Sequence, residues 1–371
     1  MIAGRHYLDH ASTAPLRPEA RDALIAALGT VGDPGRIHQE GMEARYAVER
    51  AREQVAALVG ARPREVVFTS GATESIAAVA FGAAGRGAHQ VVTAVEHSAV
   101  PAAAGRHGEV SVVGVDGLGR VASDDVLDAV RPDTAVVHVQ WGNHEVGTTQ
   151  PLDAIVGPLR ERGVLVHVDA AQAVGRVPVD FRALGADLLS FSGHKFGGPA
   201  GSGGLLVRRG LRIDPLLVGG DQERARRAGM EAVAVVAGLG AAASAAATGL
   251  EDGEVAARRL TDRVLAAVPG LDGVRVHGDP DGRLPHLVCL GFDDVEPQAV
   301  LLGLDRAGVA CHSGSACSSE SLEPSPTLAA MGVDALRSLR VSVGWDTTDE
   351  DVDALLAALP EVLAGLRALR R

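Results

Sequence analysis

The sequence is poor in cysteine and has no long run of basic residues. Three cysteines, Cys289, Cys311 and Cys317, are an odd number and too few for a disulfide framework in 371 residues. They favour a reducing compartment, so we expect a cytoplasmic protein. The formal net charge is −12, and no stretch of Lys or Arg is long enough to follow a phosphate backbone. We therefore expect no direct binding to nucleic acid.

Apolar stretches of the kind used for export or membrane insertion are also missing. Arg5, His6 and Asp9 occupy the place where a signal peptide needs its apolar stretch. Residues 232–250 form an uncharged run that is long enough to span a bilayer. This run consists mostly of small residues and lacks an aromatic belt or a basic flank, which predicts a packed helix of a soluble protein. We expect no membrane partner.

The sequence does contain the material for a large core, since 46% of its residues are apolar and 22% are charged. Seven short apolar runs alternate with helix-like stretches, which predicts an α/β layer with a largely parallel, seven-stranded sheet flanked by helices. The runs cover residues 65–69, 90–95, 110–115, 134–140, 164–168, 187–191 and 204–207. Amphipathic stretches at 40–59 and 153–162 each end at a glycine, as helices closed by a left-handed residue do.

The pattern changes after about Leu250. A long helix, strand-like runs and further helices follow without the earlier alternation, which predicts a second, smaller α+β domain. Its predicted elements are a helix at 253–268, strands at 274–277 and 286–292, a helix at 297–307, a Gly/Ser-rich stretch, a strand at 339–343 and a helix from Asp349. We expect a large α/β domain over residues 15–250 and a small domain formed by residues 1–14 and 251–371.

Polar residues follow the apolar runs at the point where each predicted strand ends. In open α/β sheets, ligands bind beyond the carboxyl ends of the strands. The turn 70–74 has free backbone N–H groups, with Ala72 and Thr73 at its centre, and can hold a phosphate on a helix N-terminus. A plain helix cap is the favoured explanation of this motif when it is taken alone. Glu96-His97, Asn143-His144-Glu145, Asp169 and Gln172 follow later runs.

The sixth run closes with Ser192-Gly193-His194-Lys195. A lysine among small residues at a sheet edge suits a Schiff base, because partial burial lowers the pKa of an amine and leaves it nucleophilic. A surface lysine remains the simpler explanation of this motif alone. Taken together, an anion cradle, an aromatic His97, the carboxylate of Asp169 and Lys195 are the parts that pyridoxal phosphate needs, the carboxylate keeping the pyridine nitrogen protonated.

Seven segments together, in order and spacing, resemble the cysteine desulfurases of the class V aminotransferase family, over nearly the whole chain. The segments are YLDHASTAP at 7–15, TSGATES at 69–75, EH at 96–97, VDAAQ at 168–172, SFSGHK at 190–195, GGDQER at 219–224 and SGSAC at 313–317. The lysine motif and the serine-rich cysteine loop are similar to the group whose catalytic cysteine lies on a long mobile loop. The resemblance implies the fold of type I pyridoxal phosphate enzymes and a homodimer.

The resemblance also implies a role for each matching residue. Lys195 would bind the cofactor covalently, Asp169 would pair with the pyridine nitrogen and Gln172 with the ring hydroxyl. His97 would lie over the ring and move protons. The phosphate would be held by Ala72, Thr73, Ser192 and His194, and the substrate by Arg340, His144 and Asn143. Arg340 would pair with the carboxylate of L-cysteine. No metal is implied.

Cys317 would accept the substrate sulfur, releasing alanine and forming a persulfide. Small residues on both sides predict a mobile arm that carries the persulfide to a sulfur-acceptor protein. Cys289 and Cys311 lie on apolar strand-like runs and are expected in the core, with a Cys311–Cys317 redox pair as the less favoured alternative.

The chain departs from the family pattern at His144, where an asparagine is common, and at Met230, where a threonine usually reaches the partner subunit's phosphate. His10 also replaces a common asparagine. Because of these departures, three other reactions with the same cofactor remain alternatives: those of a selenocysteine lyase, of another carbon–sulfur lyase and of an aminotransferase. A further alternative is a sulfur-relay or scaffold subunit with little turnover. The sulfur acceptor, the pathway and any need for an activating partner are not fixed by the sequence.

Overall fold

The computed structural model describes residues 4–313 and 324–369. The strands are β1 (His6–Tyr7), β2 (Val66–Thr69), β3 (His89–Thr93), β4 (Glu109–Val113), β5 (Thr134–Gln140), β6 (Leu165–Asp169), β7 (Leu188–Ser192), β8 (Gly203–Val207), β9 (Val274–His277), β10 (Leu287–Phe292), β11 (Val309–Ala310) and β12 (Ser338–Ser342). The helices are α1 (Pro18–Ala27), α2 (Gln39–Leu58), α3 (Ala72–Ala83), α4 (Ala99–Ala104), α5 (Ser123–Asp128), α6 (Leu152–Glu161), α7 (Phe181–Leu184), the single turn α8 (Gln222–Ala225), α9 (Val233–Thr248), α10 (Leu250–Ala267), α11 (Pro297–Arg306), α12 (Pro326–Ala330) and α13 (Asp349–Ala368).

The central feature is a seven-stranded sheet in the order β2-β8-β7-β6-β5-β3-β4. Strand β8 runs antiparallel to both of its neighbours, and the other pairs are parallel. Each of the seven predicted apolar runs forms one strand of this sheet, so the predicted fold class is confirmed. Most of these strands are buried along their whole length. Helices cover both faces, which explains why the runs are apolar throughout.

The two amphipathic stretches closed by glycine form α2 and α6. Gly60 has φ +61° and Gly163 has φ +76°, the left-handed conformation predicted for each. A Cβ on Gly60 would also lie 2.6 Å from the Asp180 carboxyl carbon. Glycine is therefore required at position 60 by both the backbone and the neighbouring turn.

The apolar run at 232–250 forms α9, which packs against α1 and α2. Small residues permit the close approach, since a Cβ on Gly240 would lie 2.6 Å from the Ala51 Cα. Within the described ranges, no single helix is long and apolar enough to cross a membrane. The α9 helix and the segment Leu250–Gly270 reach that length and composition only as a pair, and they are bent by 74° where they meet.

A second, antiparallel sheet has the order β12-β10-β9, and α10, α11 and α13 cover it. Its apolar core is separate from that of the large sheet and includes Leu8 from the start of the chain. Strand β1 pairs in parallel with β11, so the first residues join the C-terminal part of the molecule. This arrangement gives the smaller α+β part of the predicted fold. The division of the chain at residues 14 and 250 stays a prediction.

A buried ion pair fixes the turn α8 to the large sheet. The Arg52 guanidinium donates to both carboxylate oxygens of Glu223, at 2.7 and 2.8 Å, and both side chains are almost fully buried. Glu223 also accepts from the Phe68 amide at 2.9 Å. Glu223, Arg224 and Ala225 all have left-handed φ angles between 49° and 60°. These contacts hold a backbone that L-residues rarely adopt.

We predict that Arg52→Met lowers the free energy of unfolding by about 3–5 kcal/mol, because it leaves the Glu223 carboxylate buried without its counter-ion. Urea denaturation followed by circular dichroism measures the loss. Arg21→Met is the control, since the Arg21–Asp22 pair is exposed and should contribute less than about 1 kcal/mol. Equal effects of the two substitutions would contradict the proposed role of the buried pair.

Candidate active site

The carboxyl ends of β5, β6 and β7, with the segments that follow β2 and β3, border one cavity of about 300 Å³. Strand register explains the convergence, because Gln140 pairs with Asp169 and Asp169 pairs with Ser190 at adjacent strand ends. The cavity brings together ten of the residues predicted from the sequence. They are Ala72, Thr73, His97, His144, Asp169, Gln172, Ser192, His194, Lys195 and Arg340. Their assigned roles stay predictions.

The N-terminus of α3 lies at the cavity, and its N-cap residue, Gly71, has no side chain with which to cap the helix. The Ala72 amide donates to the Ser192 hydroxyl oxygen at 2.8 Å, which fixes the first turn to the end of β7. Thr73 is exposed at the cavity wall. Burial, helped by the nearby Lys195 charge, lowers the pKa of His194 to about 4. A neutral imidazole, a hydroxyl and a helix N-terminus together form a cradle for an anion.

Close backbone packing holds this cradle in place. A Cβ on Gly203, the first residue of β8, would lie 2.6 Å from the Gly71 Cα. Gly71 itself has φ +154° and precedes the first residue of α3. Only glycine at these two positions allows β8 to lie against the turn that carries the helix terminus.

Lys195 lies on a short 3-10 turn directly after β7. Its Nζ donates to the carbonyl oxygens of Ala11 at 2.7 Å and Ser12 at 2.9 Å. Burial, with the positive charge of Arg340, lowers the amine pKa from 10.5 to about 8. The amine is therefore partly neutral near physiological pH and can act as a nucleophile or a base.

Lys195 is also the only lysine in the 371 residues, and every other basic side chain apart from histidine is arginine. This count is a signal in the sequence that singles out Lys195 more sharply than its local motif does. An amine reaction in the cavity has no competing lysine elsewhere in the chain.

Asp169 ends β6 and is buried beneath the cavity. Burial raises the pKa of its carboxyl, and the neighbouring His97 opposes the shift. Oδ1 accepts from the Ala171 amide at 3.0 Å. Gln172, three residues further on, donates to the Ala11 carbonyl at 2.9 Å, and its Oε1 accepts from His286 Nε2 at 3.1 Å. His286 was not predicted from the sequence, and it fixes the orientation of this amide.

Two imidazole rings lie next to each other at the cavity wall. The rings of His97 and His144 are edge-to-face, with centroids 5.3 Å apart. Burial lowers the pKa of both rings. His97 Nδ1 accepts from the Ala99 amide at 3.2 Å, so the proton of the neutral ring is on Nε2. The neutral His144 presents a larger ring at this position than the asparagine common in the family.

Arg340 reaches the cavity from β12 of the second sheet. Nη1 donates to the His144 carbonyl at 2.8 Å, and Nη2 donates to Asp9 at 2.9 Å and to the Ser12 hydroxyl at 2.6 Å. Nε is buried and has no hydrogen-bond partner within residues 4–313 and 324–369. The Nε–H group therefore remains for a ligand, while Asp9, Ser12 and the His144 carbonyl hold the guanidinium in position.

Three residues singled out from the sequence have roles that this cavity does not test. The Asn143 amide is occupied in a turn, donating to the Val95 carbonyl and accepting from two backbone amides, so its link to substrate stays a prediction. Met230 is exposed. Cys317 lies outside the described residues.

The other two cysteines fit their predicted place in the core. Cys289 is fully buried in β10, and Cys311 is half-buried after β11. Burial raises the pKa of both thiols, which disfavours the reactive thiolate.

The fold and the cavity define a member of the class V aminotransferase family. The sequence profile described as Aminotransferase class-V matches residues 6–355, and the chain belongs to this family. Within it, the chain belongs with the cysteine desulfurases, as the sequence motifs predict. Cysteine desulfurase IscS of Methanosarcina thermophila is 39% identical over 373 residues, which cover 97% of this chain and 92% of that protein.

Solved structures agree with this placement. A NifS-like protein has a TM-score of 0.90 at 30% identity, covering 98% of this chain and 100% of that chain. SspA in complex with cysteine has a TM-score of 0.81 at 27% identity, covering 91% and 98% of the two chains.

We predict that the Lys195 amine of the folded, cofactor-free protein reacts with a limiting acylating reagent at a rate that levels off above pH about 8. The neutral amine is the reactive form, and its pKa is depressed, so the rate rises with pH up to that value. Peptide mass spectrometry separates Lys195 from the terminal amine. In the urea-unfolded control, the pH at which the reaction rate reaches half of its maximum should return to about 10.4. A midpoint that is the same in both states would contradict the assigned burial of the amine.

Proposed function

We propose that the protein is a pyridoxal-phosphate-dependent L-cysteine desulfurase that releases L-alanine and retains the sulfur as a persulfide on Cys317. The observation that carries the proposal is a single lysine with a lowered amine pKa, in one cavity with a buried carboxylate and an arginine whose buried Nε–H has no partner in the described residues. Membership of the cysteine desulfurases supports the same reaction.

The residues of the cavity fit pyridoxal phosphate by their chemistry. The uncapped N-terminus of α3, with Thr73, Ser192 and His194, suits the phosphate. Lys195 suits the aldehyde carbon. Two buried groups of the cavity, Gln140 Nε2 and Arg340 Nε, have no hydrogen-bond partner in the described part of the chain. Such unpartnered donors indicate that a polar ligand belongs here.

Each of these cavity side chains would have a separate role in the reaction. Asp169 would hold a proton on the ring nitrogen, and Gln172 would donate to the ring hydroxyl. His97 would cover the ring. When bound, the cofactor supplies an electron sink for negative charge at the substrate Cα. Lys195, whose amine pKa is about 8 in the cofactor-free protein, would take the proton from that carbon.

Sulfur transfer would then belong to Cys317. Its thiolate attacks the sulfur of the bound cysteine, a sulfur–sulfur bond forms, and the carbon–sulfur bond breaks with its electron pair going to carbon. Protonation of that carbon, Cβ, and return to Cα of the proton that Lys195 took would yield alanine. Arg340 holds the substrate carboxylate during this exchange. The cysteine bound to the related SspA supports the choice of substrate.

His144 is the specific observation that favours a second candidate. A buried, neutral imidazole at the cavity wall changes the space beside the substrate side chain. Another pyridoxal-phosphate-dependent carbon–sulfur or carbon–selenium lyase, or an aminotransferase, is therefore the alternative. A sulfur-relay subunit with little turnover is disfavoured because Lys195, Asp169, His97 and Arg340 all line one cavity.

The partner proposals follow from the family. We propose a cytoplasmic homodimer that passes sulfur to an acceptor protein, without nucleic acid or membrane as a direct partner. Apolar side chains are exposed along residues 25–46 and at Val218 and Met230, which is consistent with a subunit interface.

The reaction is tested by measuring alanine and sulfide from L-cysteine with added pyridoxal phosphate and a reductant. We expect equal amounts of the two products from the wild type and background amounts from Cys317→Ala, although this variant still binds cofactor. Cys311→Ala is the matched control and should keep activity, since Cys311 packs against the second core. Alanine from Cys317→Ala at the wild-type rate would contradict transfer through Cys317. A wild type that binds cofactor and yields no alanine would favour the alternative substrates.

We also predict that Arg340→Lys raises the KM for L-cysteine about tenfold or more, because an ammonium group cannot keep the contacts to Asp9, Ser12 and the His144 carbonyl that hold the unpartnered Nε–H group ready for the substrate carboxylate. Steady-state kinetics measures the change. Cysteamine, which lacks the carboxylate, provides the control ligand, and its affinity should change little. Arg337→Lys, at a half-buried residue that pairs with Asp334 and does not line the cavity, should leave both values as they are. An equal loss for both ligands would indicate a structural role for Arg340.

A further inference from the structure

Four buried polar side chains form a row across the large sheet below the cavity. Gln90 lies on β3, His138 on β5, His167 on β6 and Ser190 on β7, and each is 0% exposed. We call these four residues the polar row. Polar side chains are expensive to bury unless they are hydrogen-bonded, and most of the other side chains on these strands are apolar.

Consecutive members of the polar row are within hydrogen-bond distance. The Gln90 amide nitrogen donates to the Ala80 carbonyl of α3 at 3.1 Å, and Gln90 Oε1 lies 2.9 Å from His138 Nε2. His138 Nδ1 lies 2.9 Å from His167 Nδ1. His167 Nε2 lies 3.1 Å from the Ser190 hydroxyl oxygen, which is 3.3 Å from Asp169 Oδ1.

The Ala80 carbonyl fixes the direction of every hydrogen bond in the row. It requires the amide nitrogen of Gln90 on its side, so Oε1 faces His138 and can only accept. His138 Nε2 must therefore carry a proton. Burial lowers the pKa of His138 to about 3 and that of His167 well below its usual value, so both rings are neutral. His138 Nδ1 then has only a lone pair and accepts from His167 Nδ1.

The same reasoning continues to the carboxylate. With its proton on Nδ1, the neutral His167 has a lone pair on Nε2 and accepts from the Ser190 hydroxyl. Ser190 has one hydroxyl proton, and His167 uses it. The Ser190 oxygen can therefore accept a hydrogen bond from the protonated Asp169 carboxyl, but it has no proton left with which to donate a hydrogen bond to the ionised carboxylate.

We propose that the polar row is a positioning device for Asp169, which withholds the Ser190 hydrogen bond from the ionised carboxylate and leaves it to be satisfied by a cationic group in the cavity. This deepens the proposed function, because the cation of interest there is a protonated ring nitrogen. Gln90, His138, His167 and Ser190 touch neither substrate nor cofactor and act through Asp169. The other ionisable groups that face Asp169 are His97, Lys195 and Glu96.

The first test is made on the wild-type protein, and variants of the polar row serve only to assign the NMR signals to individual histidines. Nitrogen-15 NMR of the histidine side chains in the wild-type, cofactor-free protein reports which ring nitrogen carries the proton. We expect the proton on Nε2 of His138 and on Nδ1 of His167 from pH 6 to pH 9. The opposite tautomers, or a protonated ring in this range, would overturn the proposal.

The second test measures the proton affinity of Asp169 in the full-length, cofactor-free chain. Infrared difference spectroscopy follows the protonated carboxyl band with pH, and Asp169→Asn identifies the band. Gln90→Leu and His138→Leu free the row to reverse, so that Ser190 can donate to Asp169. We expect the titration midpoint to fall by about one pH unit, a tenfold loss of proton affinity, as one gained hydrogen bond to a carboxylate predicts.

Ser190→Ala distinguishes the two possible directions of the row. If Ser190 accepts from protonated Asp169, its removal lowers the midpoint; if Ser190 donates to the carboxylate, removal raises the midpoint and the proposal fails. His89→Leu is the matched control. His89 is equally buried on β3 and makes two hydrogen bonds, to Thr134 and Ser111, but it has no link to Asp169. The His89→Leu substitution should leave the titration midpoint of Asp169 unchanged. A fall of about one pH unit in this variant would also overturn the proposal.

These measurements separate the two hypotheses. The tautomers and the Asp169 midpoint are read from the chain without cofactor or substrate, so they stand if the protein proves to act on a substrate other than cysteine. Conversely, alanine production through Cys317 would stand if the row had the opposite direction.

Discussion

The parallel alignment of β3, β5, β6 and β7 is the constraint on which the rest of the site depends. The carboxyl ends of adjacent parallel strands lie at the same edge of the sheet. Backbone pairing of the strands therefore brings together functional side chains that are far apart in the sequence. His97, Asp169 and Lys195 each follow one of these strands or end it. A shift of one residue in any pairing would turn a functional side chain to the opposite face. The apolar packing of the sheet therefore sets the precision of the site.

The strands of the large sheet and the polar residues at their ends could be predicted from the sequence, because the patterns that indicate them are local. Runs of β-branched residues predict buried strands, and glycine at 60 and 163 predicts where two helices end. A polar residue directly after a buried strand needs no tertiary information to be noticed. The same reasoning identified the Lys195 motif and the small residues before α3. The assignment of these residues to parts of a cofactor came from resemblance to a family, and the structure shows that they share one cavity.

Other features depend on contacts that no local pattern contains. The pairing of β1 with β11, and of Asp9 with Arg340, joins the two ends of the chain. His286 supports Gln172 from the second sheet. The polar row was hidden because its residues lie inside strands that were interpreted as apolar: His138 and His167 interrupt their runs, yet their partners could be identified only from the strand order. The role of Asn143 as a turn residue likewise depends on hydrogen bonds that a motif does not show.

The presence of one lysine has a further consequence for the chemistry of the whole chain. Guanidinium groups carry the positive charge elsewhere, and they remain protonated and do not condense with aldehydes under ordinary conditions. An aldehyde that reaches this protein therefore meets one reactive side-chain amine, and that amine lines the cavity. Acetylation, methylation or conjugation of a modifier to lysine would likewise have a single target in these 371 residues. Any such modification would compete directly with the active site, so regulation through surface lysines is closed to this chain.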